Sequence, residues 1–385
     1  MDTALASATL ILCLWVVWDQ ARGIRAMGHL REFAPTGEGS WPRVSVCFAA
    51  RDEACGVERA VRSLLALDYP DLEVIGVDDR STDATGDILD RLARGDPRLR
   101  VVHLTELPPG WLGKNHGLQR AAEWASGEWL LFTDADVVFS PGALKYAVTA
   151  VRRSGADHLA VGPEVEVSSW PLGVAVSVFL LLFGVYCRPW AAGRPGPWHV
   201  GIGAFNFVRT AAYRAIGGHE DLRLRPDDDM KLGKRLKLGG YRTLALFGQG
   251  VSRVEWYRTL GDLVRGLKKN IFAGFEYHLT LVITALAVQF LAFLWPFLAV
   301  WGASGVARFC YAGCVLSLLW LHAEQAEHQG RPRGYALAFP LGIALFLFIV
   351  ANATWATLRT GGIEWRGTHY PLAQLRTNRV GGWWL

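Results

Sequence analysis

The sequence predicts an α/β protein: a doubly wound sheet of parallel strands, joined to apolar helices at both ends of the chain. Between residues 40 and 275, β-prone runs alternate with helical patterns about every 25 residues. Outside that interval lie apolar runs at 3–18, 279–301 and 335–358, and a shorter one at 306–321. An α/β domain placed between membrane segments accounts for both observations.

The composition supports this separation. Of the 385 residues, 51% are hydrophobic and 19% are charged, and most of the acidic residues lie between 40 and 275. The net charge of +5 is small, and the basic residues cluster near the apolar runs. That pattern suits an anionic lipid surface, so membrane lipids are expected partners and nucleic acid is not. None of the six cysteines forms a Cys-x-x-Cys pair, which is typical of a reducing compartment.

The order of segments predicts four regions. These are an N-terminal transmembrane anchor at 1–22, a cytoplasmic domain at 40–275, C-terminal transmembrane helices at 276–360 and a basic tail at 361–385. The first apolar run has no basic segment before it, which argues against a cleaved signal peptide. Arg22, Arg25 and Arg31 follow it. By the positive-inside rule, the domain lies in the cytoplasm of a multi-pass protein of the cell inner (plasma) membrane.

The number of membrane crossings stays open at this stage. One anchor and three C-terminal crossings would put the tail outside, whereas its arginines favour the inside. The apolar run 171–187 could resolve the conflict by crossing, but it interrupts the predicted domain. We favour a helix that lies in the membrane surface or is buried in protein.

The predicted elements place polar residues at strand ends. Strands are expected at 43–50, 73–77, 99–104 and 128–133, and helices at 53–66, 81–92 and 118–124. In parallel sheets, ligands bind beyond the carboxyl ends of the strands. Arg51-Asp52-Glu53, Asp78-Asp79 and Asp134 with Asp136 each follow a predicted strand. We therefore expect these side chains to meet in one crevice.

Two aspartates one residue apart follow the fourth predicted strand. Asp134 and Asp136 come directly after the apolar run 128–133, and carboxylates placed there are costly without a cation. A divalent metal with a phosphate-bearing ligand would balance them. The alternative, a solvated loop, does not explain the apolar run. The pair therefore indicates a site for a metal and a diphosphate.

Two polar segments lie between those strands. Residues 78–85 could hydrogen-bond a ribose or a base, or they could cap the next helix through Thr82 or Asp83. Lys114 stands at a predicted helix start, where a cation suits a diphosphate. A surface turn is the alternative for Lys114, because no P-loop pattern surrounds it.

Two charged segments follow later in the chain. Asp227, Asp228 and Asp229 open a helix, where acids favour the positive end of its dipole. One of them could be a general base for an acceptor hydroxyl, if its neighbours raise its pKa toward neutrality. The basic stretch 265–270 could contact anionic headgroups, support a departing diphosphate, or do both.

The sequence contains, in order, Ala50-Arg51-Asp52-Glu53, Val77 to Asp83, Gly127 to Asp136, and Asp228-Asp229-x-x-Leu-Gly. This series resembles family 2 inverting glycosyltransferases of the GT-A fold, a Rossmann-like nucleotide-diphospho-sugar transferase fold. Further similarity lies in Gly110 to His116, Lys269-Asn270 and Trp365-Arg366-Gly367. These segments resemble a membrane-bound subgroup that includes hopanoid-associated, carotenoid and ceramide glucosyltransferase-like enzymes.

The resemblance implies a donor site and roles for its residues. It implies Mn²⁺ or Mg²⁺ and a UDP-linked sugar donor. Asp79 would contact the nucleoside, and the turn from Ala50 and Arg51 to Glu53 would lie beside the base. Lys114 would lie near the diphosphate. Asp134 and Asp136 would bind the metal and the sugar nucleotide.

The resemblance also implies an acceptor side. Asp229 corresponds to the second acid of the family's Glu-Asp motif, the catalytic base, and Gly203 to Asn206 resemble the wall near donor sugar and acceptor. Here the motif is Asp227-Asp228-Asp229, so the base could be Asp228 or Asp229. The family's Gln/Arg-x-x-Arg-Trp motif is absent in that form. Arg265 and Lys269 stand roughly in its place without the tryptophan, which argues against a processive polysaccharide synthase.

The sequence therefore predicts a glycosyltransferase, a hexosyltransferase that moves a sugar from a nucleotide-sugar to a lipid acceptor at the cytoplasmic membrane face. Two alternatives stay open: a short-chain polysaccharide synthase, and a non-catalytic membrane scaffold on the same fold. The sequence does not identify the donor sugar or the acceptor lipid.

Overall fold

A computed structural model describes residues 3–35 and 40–381. Its strands are β1 (Val44–Ala50), β2 (Leu72–Asp79), β3 (Leu99–Leu104), β4 (Trp129–Phe132), β5 (Val138–Phe139), β6 (His158–Val165), β7 (Asn206–Arg209), β8 (Thr243–Val254), β9 (Gly362–Trp365) and β10 (Thr368–Pro371).

The α-helices are α1 (Thr3–Ala26), α2 (Val57–Leu65), α3 (Thr85–Gly95), α4 (Gly113–Trp124), α5 (Ala143–Ser154), α6 (Trp170–Cys187), α7 (Thr210–Ala215), α8 (Asp228–Leu238), α9 (Leu260–Gly274), α10 (Leu279–Gln289), α11 (Trp295–Gly302), α12 (Gly305–His328), α13 (Phe339–Thr360) and α14 (Leu372–Leu375). A π-helical turn, Phe290–Leu294, joins α10 to α11.

The chain forms two compact units. The sheet unit consists of the described residues within Met27–Glu166, Pro189–Trp256 and Thr377–Leu385. The helical unit consists of those within Met1–Ala26, Val167–Arg188 and Tyr257–Arg376. The interval 40–275, predicted as one domain, draws on both units.

The sheet has eight strands in the order β3-β2-β1-β4-β7-β6-β8-β5. Strand β1 lies between β2 and β4 and is parallel to both. The chain adds β2 and β3 on one side of β1 and then returns to add β4 on the other. This reversal creates a switch point at the carboxyl ends of β1 and β4, where doubly wound sheets bind their ligands.

Both faces of the sheet are covered, which explains why its first strands are apolar throughout. Side chains alternate between the two faces along a strand. Val46 and Phe48 of β1 pack in a core with helices α2, α3 and α5, whereas Cys47 packs with α4 and α8 on the opposite face. This arrangement confirms the predicted α/β, doubly wound architecture.

The sheet is mixed, not purely parallel as the strand pattern predicts. Strand β7 lies between β4 and β6 and runs antiparallel to both, and β5 runs antiparallel to β8. Strand β7 has only four residues and follows a glycine-rich segment, 201–203. Such a short strand carries no periodicity that could be recognised in the sequence.

The helical unit contains the apolar segments. Five described helices are long and apolar enough to span a membrane: Thr3–Ala26, Trp170–Ala191, Leu279–Gly302, Gly305–His328 and Arg333–Thr360. This finding agrees with apolar helices at the N-terminal and C-terminal ends, and the helix expected over 171–187 is present as α6.

The middle helix, α6, is inserted between two strands that pair with each other. Strand β6 precedes it, β7 follows it, and Leu159 of β6 pairs with Phe207 of β7. A bilayer cannot divide two hydrogen-bonded strands, because their backbone groups need each other as partners. Both ends of α6 must therefore lie on the same side of a membrane, which excludes a single crossing by this helix.

Candidate active site

Polar residues gather where β1, β2 and β4 end. Ala50, the last residue of β1, pairs with Asp78 of β2, and Cys47 of β1 pairs with Phe132, the last residue of β4. Asp79 ends β2, and Asp134 follows β4. The sheet register thus brings the three predicted strand-end motifs to one edge.

Asp79 is buried and tied to its neighbour. Its two carboxylate oxygens accept hydrogen bonds from Nε and Nη2 of Arg80 at 2.8 and 3.0 Å. Its carboxyl carbon would lie only 3.1 Å from a β-carbon at Gly113. The glycine therefore lets Asp79 approach the first turn of α4, next to Lys114.

The turn after β1 carries Arg51 and Glu53. Ala50 is buried, and the backbone N–H of Glu53 donates to Oγ1 of Thr85 at 2.8 Å. Nε of Arg51 is buried and has no hydrogen-bond partner within 3–35 and 40–381. An Asp52 oxygen lies 3.9 Å from it. An orphaned guanidinium donor beside the strand ends is suited to a ligand acceptor atom.

Most hydroxyl and acid groups of 81–85 serve the turn itself. Asp83 accepts from the backbone N–H of Thr85 at 2.9 Å and from that of Ala54 at 3.0 Å. Asp52 accepts from the backbone N–H of Thr82 at 2.8 Å. These bonds hold Thr82 and Asp83 within the turn before α3, which begins after Ala84 without a side-chain cap. Asp79 is left for a ligand.

Lys114 lies in the first turn of α4 between acidic groups from two parts of the chain. Its ammonium group is 2.9 Å from Oδ1 of Asp134 and 3.4 Å from Oδ1 of Asp228. Burial disfavours the charged lysine, but Asp134, Asp228 and Asp229 outweigh burial and raise its pKa. Lys114 is therefore a permanent cation at the centre of the cluster.

Gly203 is the point on which these groups converge. A β-carbon built there would lie 2.9 Å from Oδ2 of Asp134, 3.4 Å from Oδ2 of Asp229 and 3.5 Å from Nζ of Lys114. Glycine therefore lets the backbone at this position lie close against two carboxylates and one ammonium group. The three charged groups come together on one side of Gly203.

Asp228 and Asp229 open helix α8 but differ in their contacts. Asp228 is buried and paired with Lys114. Asp229 is only half-buried, and its two oxygens accept from the backbone N–H groups of Gly203 and Met230, each at 2.8 Å. Burial raises the pKa of Asp228 to about 7 and also raises that of Asp229, with Asp134 adding to both shifts and Lys114 opposing them.

Asp227, the first of the three consecutive aspartates, has a structural role. The guanidinium group of Arg225 is fully buried and donates to both Asp227 oxygens at 2.8 Å. Burial favours the neutral acid, but Arg225 and then Lys231 outweigh it and lower the pKa of Asp227 to about 2. A permanently ionised, buried carboxylate of this kind is unsuited to proton transfer.

Asp134 and Asp136 fit a divalent cation. Burial raises the pKa of Asp136 to about 7, and the nearby carboxylates of Asp134 and Glu53 add to the shift. Negative charge is thus in excess there, and carboxylate oxygens are the ligands that Mg²⁺ and Mn²⁺ prefer. No group of three or more acidic, histidine or cysteine ligands is present among the described residues. A metal here would share its coordination between these carboxylates and phosphate oxygens.

Comparison with known proteins identifies the sheet-bearing part of the chain. Residues 45–216 match the family described as "Glycosyl transferase family 2". They form a family 2 glycosyltransferase domain. The match confirms the resemblance inferred from the motifs.

Relatives of the glycosyltransferase domain include enzymes named for glycolipid synthesis. The chain is 28% identical over 234 residues to the beta-monoglucosyldiacylglycerol synthase of Trichormus variabilis, and 30% identical over 240 residues to the Synechocystis enzyme of the same name. Each alignment covers 58% of this chain and 48% of the relative. The aligned region thus spans about half the length of these relatives.

A solved structure shares the fold. The mannosyltransferase PcManGT from Pyrobaculum calidifontis, in complex with GDP-Man and Mn²⁺, superposes with a TM-score of 0.56 at 19% identity. The similarity covers 93% of this chain and 98% of that structure. At this identity the similarity bears on the fold alone.

Arg265 and Lys269 lie on α9, which belongs to the helical unit. The aspartates grouped around Lys114 belong to the sheet unit. Arg265 is exposed and pairs with Asp262 at 2.6 Å. Nζ of Lys269 lies 4.0 Å from the ring centre of Trp365, a residue of the β9–β10 hairpin. Lys269 thus contacts a tryptophan that lies far from it in the sequence. A role for either cation at a diphosphate stays a prediction.

Three buried polar residues support the site. Asn206 belongs to the segment Gly203 to Asn206 that resembles the predicted wall, whereas the sequence predicts no role for Asn115 or His219. Asn115, next to Lys114, donates to the carbonyl groups of Leu222 and Arg225 at 2.6 and 2.8 Å. Nε2 of His219 lies 3.9 Å from Asp228, and burial together with Lys114 lowers the pKa of this histidine to about 3. Asn206 donates to the backbone carbonyl of Asp229 at 3.5 Å.

Gly233 explains the glycine of the Asp-Asp-x-x-Leu-Gly motif. It lies on α8 one turn after Asp229, and the backbone of Val200 passes directly over it. A β-carbon at Gly233 would overlap the Val200 carbonyl oxygen and stand 2.5 Å from the carbonyl carbon. The glycine therefore lets the strand-like segment 200–203 reach Asp229.

Proposed function

We propose that the chain is an inverting glycosyltransferase that transfers a sugar from a UDP-linked donor to a hydroxyl group of a lipid at the cytoplasmic face of the membrane. The observation that carries the proposal is the convergence of Asp134, Asp229 and Lys114 around Gly203. In-line displacement at an anomeric carbon needs a base on one side and stabilisation of the leaving diphosphate on the other. This cluster offers both within a few ångströms.

Asp229 is the better candidate for the base. Asp228 is buried and paired with Lys114, whereas Asp229 is more accessible and is oriented by two backbone N–H groups. The raised pKa of Asp229 makes it a stronger base than an ordinary carboxylate. In this proposal Asp229 accepts the proton of the acceptor hydroxyl as the oxygen attacks the anomeric carbon.

The leaving diphosphate would be held by Lys114 and by a metal bound to Asp134 and Asp136. Lys114 supplies a fixed positive charge at a helix N-terminus, a position suited to phosphate oxygens. Asp134 and Asp136 would hold the divalent metal, which neutralises charge on the departing diphosphate when bound. Asp79 and Arg51 would contact the nucleoside.

A lipid acceptor is supported by two observations. The relatives described above are named as beta-monoglucosyldiacylglycerol synthases, and five described helices could span a membrane. The arginines that follow the first apolar run, 3–18, favour the cytoplasmic side for the catalytic domain. Diacylglycerol is therefore the first acceptor to test, with UDP-glucose as the first donor.

The experiment uses the purified full chain in detergent. Thermal-shift measurements with UDP-glucose, UDP-GlcNAc and GDP-mannose, with and without Mn²⁺, select the donor. Transfer of labelled sugar to diacylglycerol is then followed by the size and lipid solubility of the product. Metal-dependent binding without any transfer would favour the scaffold, and a ladder of larger products would favour a polysaccharide synthase.

Two matched variants test the base. Asp229→Asn should lower kcat by about 10²- to 10⁴-fold, the range for a general base, and leave the donor-induced thermal shift intact. Asp228→Asn should lose less activity. Asp87→Asn, a change at an exposed position on α3, serves as the control and should match the wild type. Full activity of Asp229→Asn with loss in Asp228→Asn would move the base to Asp228.

A further inference from the structure

The last described residues of the chain belong to the sheet unit, not to the helical unit that precedes them. Asn378 makes two side-chain hydrogen bonds to segment 221–225 of the sheet unit. Its Oδ1 accepts from the backbone N–H of Leu224 at 3.0 Å, and its Nδ2 donates to the carbonyl oxygen of Asp221 at 3.0 Å. The side chain thus bridges backbone groups three residues apart.

A second contact anchors the same short part of the tail, the described residues from Thr377 onward. Val380 is 1% exposed and lies in a hydrophobic cluster that contains Leu222, Leu232 and Leu236. Leu222 belongs to the segment that Asn378 binds, and the other two leucines lie on α8. This part of the tail therefore contacts the segment that precedes α8. It also packs in the same hydrophobic cluster as α8.

Segment 221–225 determines where α8 begins. On its other side it is held by α4, since Leu112 donates to the carbonyl of Arg223 at 2.8 Å and Asn115 donates to those of Leu222 and Arg225. Arg225 holds Asp227, the residue directly before the two acids of the site. The segment thus lies between the element that carries Lys114 and the tail.

We propose that Asn378 is a positioning residue that fixes segment 221–225 and, through it, Asp228 and Asp229. Without its side chain, the N–H of Leu224 and the carbonyl of Asp221 lose their partner. Segment 221–225 then keeps its bonds from α4, the hydrophobic cluster that contains Val380, and a 3.5 Å bond from Nη1 of Arg225 to the backbone carbonyl of residue 378. The catalytic part of this proposal rests on the proposed function. The structural part, the clamp on the segment, does not.

The test compares Asn378→Ala with Asn378→Asp. Alanine removes both bonds, whereas aspartate keeps the acceptor for Leu224 and loses the donor to Asp221. Hydrogen–deuterium exchange in the full chain should rise about tenfold or more in peptides covering 221–232 of Asn378→Ala, because a protected amide becomes free to exchange. The rise should be smaller in Asn378→Asp, and peptides of β1 and β2 should not change. Ala373→Ser, an exposed change earlier in the C-terminal segment, should leave exchange unchanged.

Kinetics separate positioning from general stability. Asn378→Ala should lower kcat by about 10- to 100-fold, as expected for a catalytic group displaced by about 1 Å, while KM for the donor stays within twofold. Unchanged exchange over 221–232 would overturn the clamp. Unchanged kcat, or an equal loss of donor affinity and kcat, would overturn the positioning role. If the wild type transferred no sugar, the proposed function would fail while the exchange experiment still decided the clamp.

Discussion

Substitution of Gly233 by alanine tests how the site is assembled. The new β-carbon would overlap the carbonyl oxygen of Val200 and stand 2.5 Å from its carbonyl carbon. Carbon atoms in contact sit about 3.5–4.0 Å apart, so the backbone at Val200 would have to retreat by about 1 Å. The new β-carbon is fixed to the helix backbone, and the nearest atoms that it meets belong to the backbone of Val200. No change of side-chain rotamer can therefore relieve the clash.

The displacement would reach the base through a short stretch of chain. Val200 lies three residues before Gly203, whose N–H donates to Asp229 at 2.8 Å. A retreat of about 1 Å would stretch this bond beyond useful length, and misplacement on that scale can lower a rate about 100-fold. We expect kcat of Gly233→Ala to fall by about this factor. The strain should also destabilise the fold by about 1–3 kcal/mol.

The assay measures initial transfer rates across donor concentrations, together with the thermal unfolding midpoint. KM for the donor should change little, because Asp79 and Arg51 lie at the ends of strands that the clash does not touch. Gly95→Ala is the matched control, since a β-carbon at the end of α3 meets nothing within 4 Å. Alanine favours a helix over glycine by up to about 1 kcal/mol, so this variant should keep full activity and its unfolding midpoint. A Gly233→Ala enzyme with wild-type kcat would refute the reasoning.

The remaining predictions concern metal and pH. Chelation by EDTA should abolish the thermal stabilisation given by a nucleotide-sugar. Asp136→Asn should raise the Mn²⁺ concentration needed to restore this stabilisation by about tenfold or more, because one of two carboxylates is lost. A variant that needs no additional Mn²⁺ would exclude Asp136 as a ligand. His103 bonds Asp90 and Asp78 at 2.9 and 3.0 Å, and these carboxylates, Asp90 foremost, raise its pKa. This contribution to stability is complete below the ordinary histidine pKa of about 6.5 and is lost as the pH rises through the raised value. The unfolding midpoints of wild type and His103→Asn should therefore differ more at about pH 6 than at about pH 9, and equal differences would contradict the assignment.

The first half of the sheet could be predicted because its signals are local. Strand β3 occupies the predicted residues, and β1, β2 and β4 lie within two residues of theirs. Each is a short apolar run with polar residues at its end. Helix α4 begins at Gly113, next to the helix start predicted at Lys114, although the helical pattern in the sequence covers only 118–124. Its early residues include Gly113 and Gly117, poor helix formers that are required because β-carbons there would crowd Asp79 and Ala49.

The supporting residues of the site could not be predicted because their partners are distant. Asn115 binds carbonyl groups 107 and 110 residues away, and Asn378 binds backbone groups 154 and 157 residues away. Nothing in the neighbouring sequence distinguishes these asparagines from those of surface turns. The acids and Lys114 could be named from the sequence because charged groups at element ends form recognisable motifs.

The hydrogen bonds of Asn378 also constrain how often the chain passes through a bilayer. Leu224 precedes the last three apolar segments, Leu279–Gly302, Gly305–His328 and Arg333–Thr360, and Asn378 follows them, yet the two residues share a hydrogen bond. A chain that returns to the side from which it left makes an even number of crossings. At most two of these three segments can therefore cross a membrane.

Helix α13 lies against α6, the helix that cannot make a single crossing. Phe346 of α13 and Phe179 of α6 have ring centres 6.0 Å apart, and Gly342 lies close to Val178. With an even count, the arginines of the tail and those that follow the first helix fall on the same side. The conflict between the number of apolar segments and the positive charges that flank them then disappears.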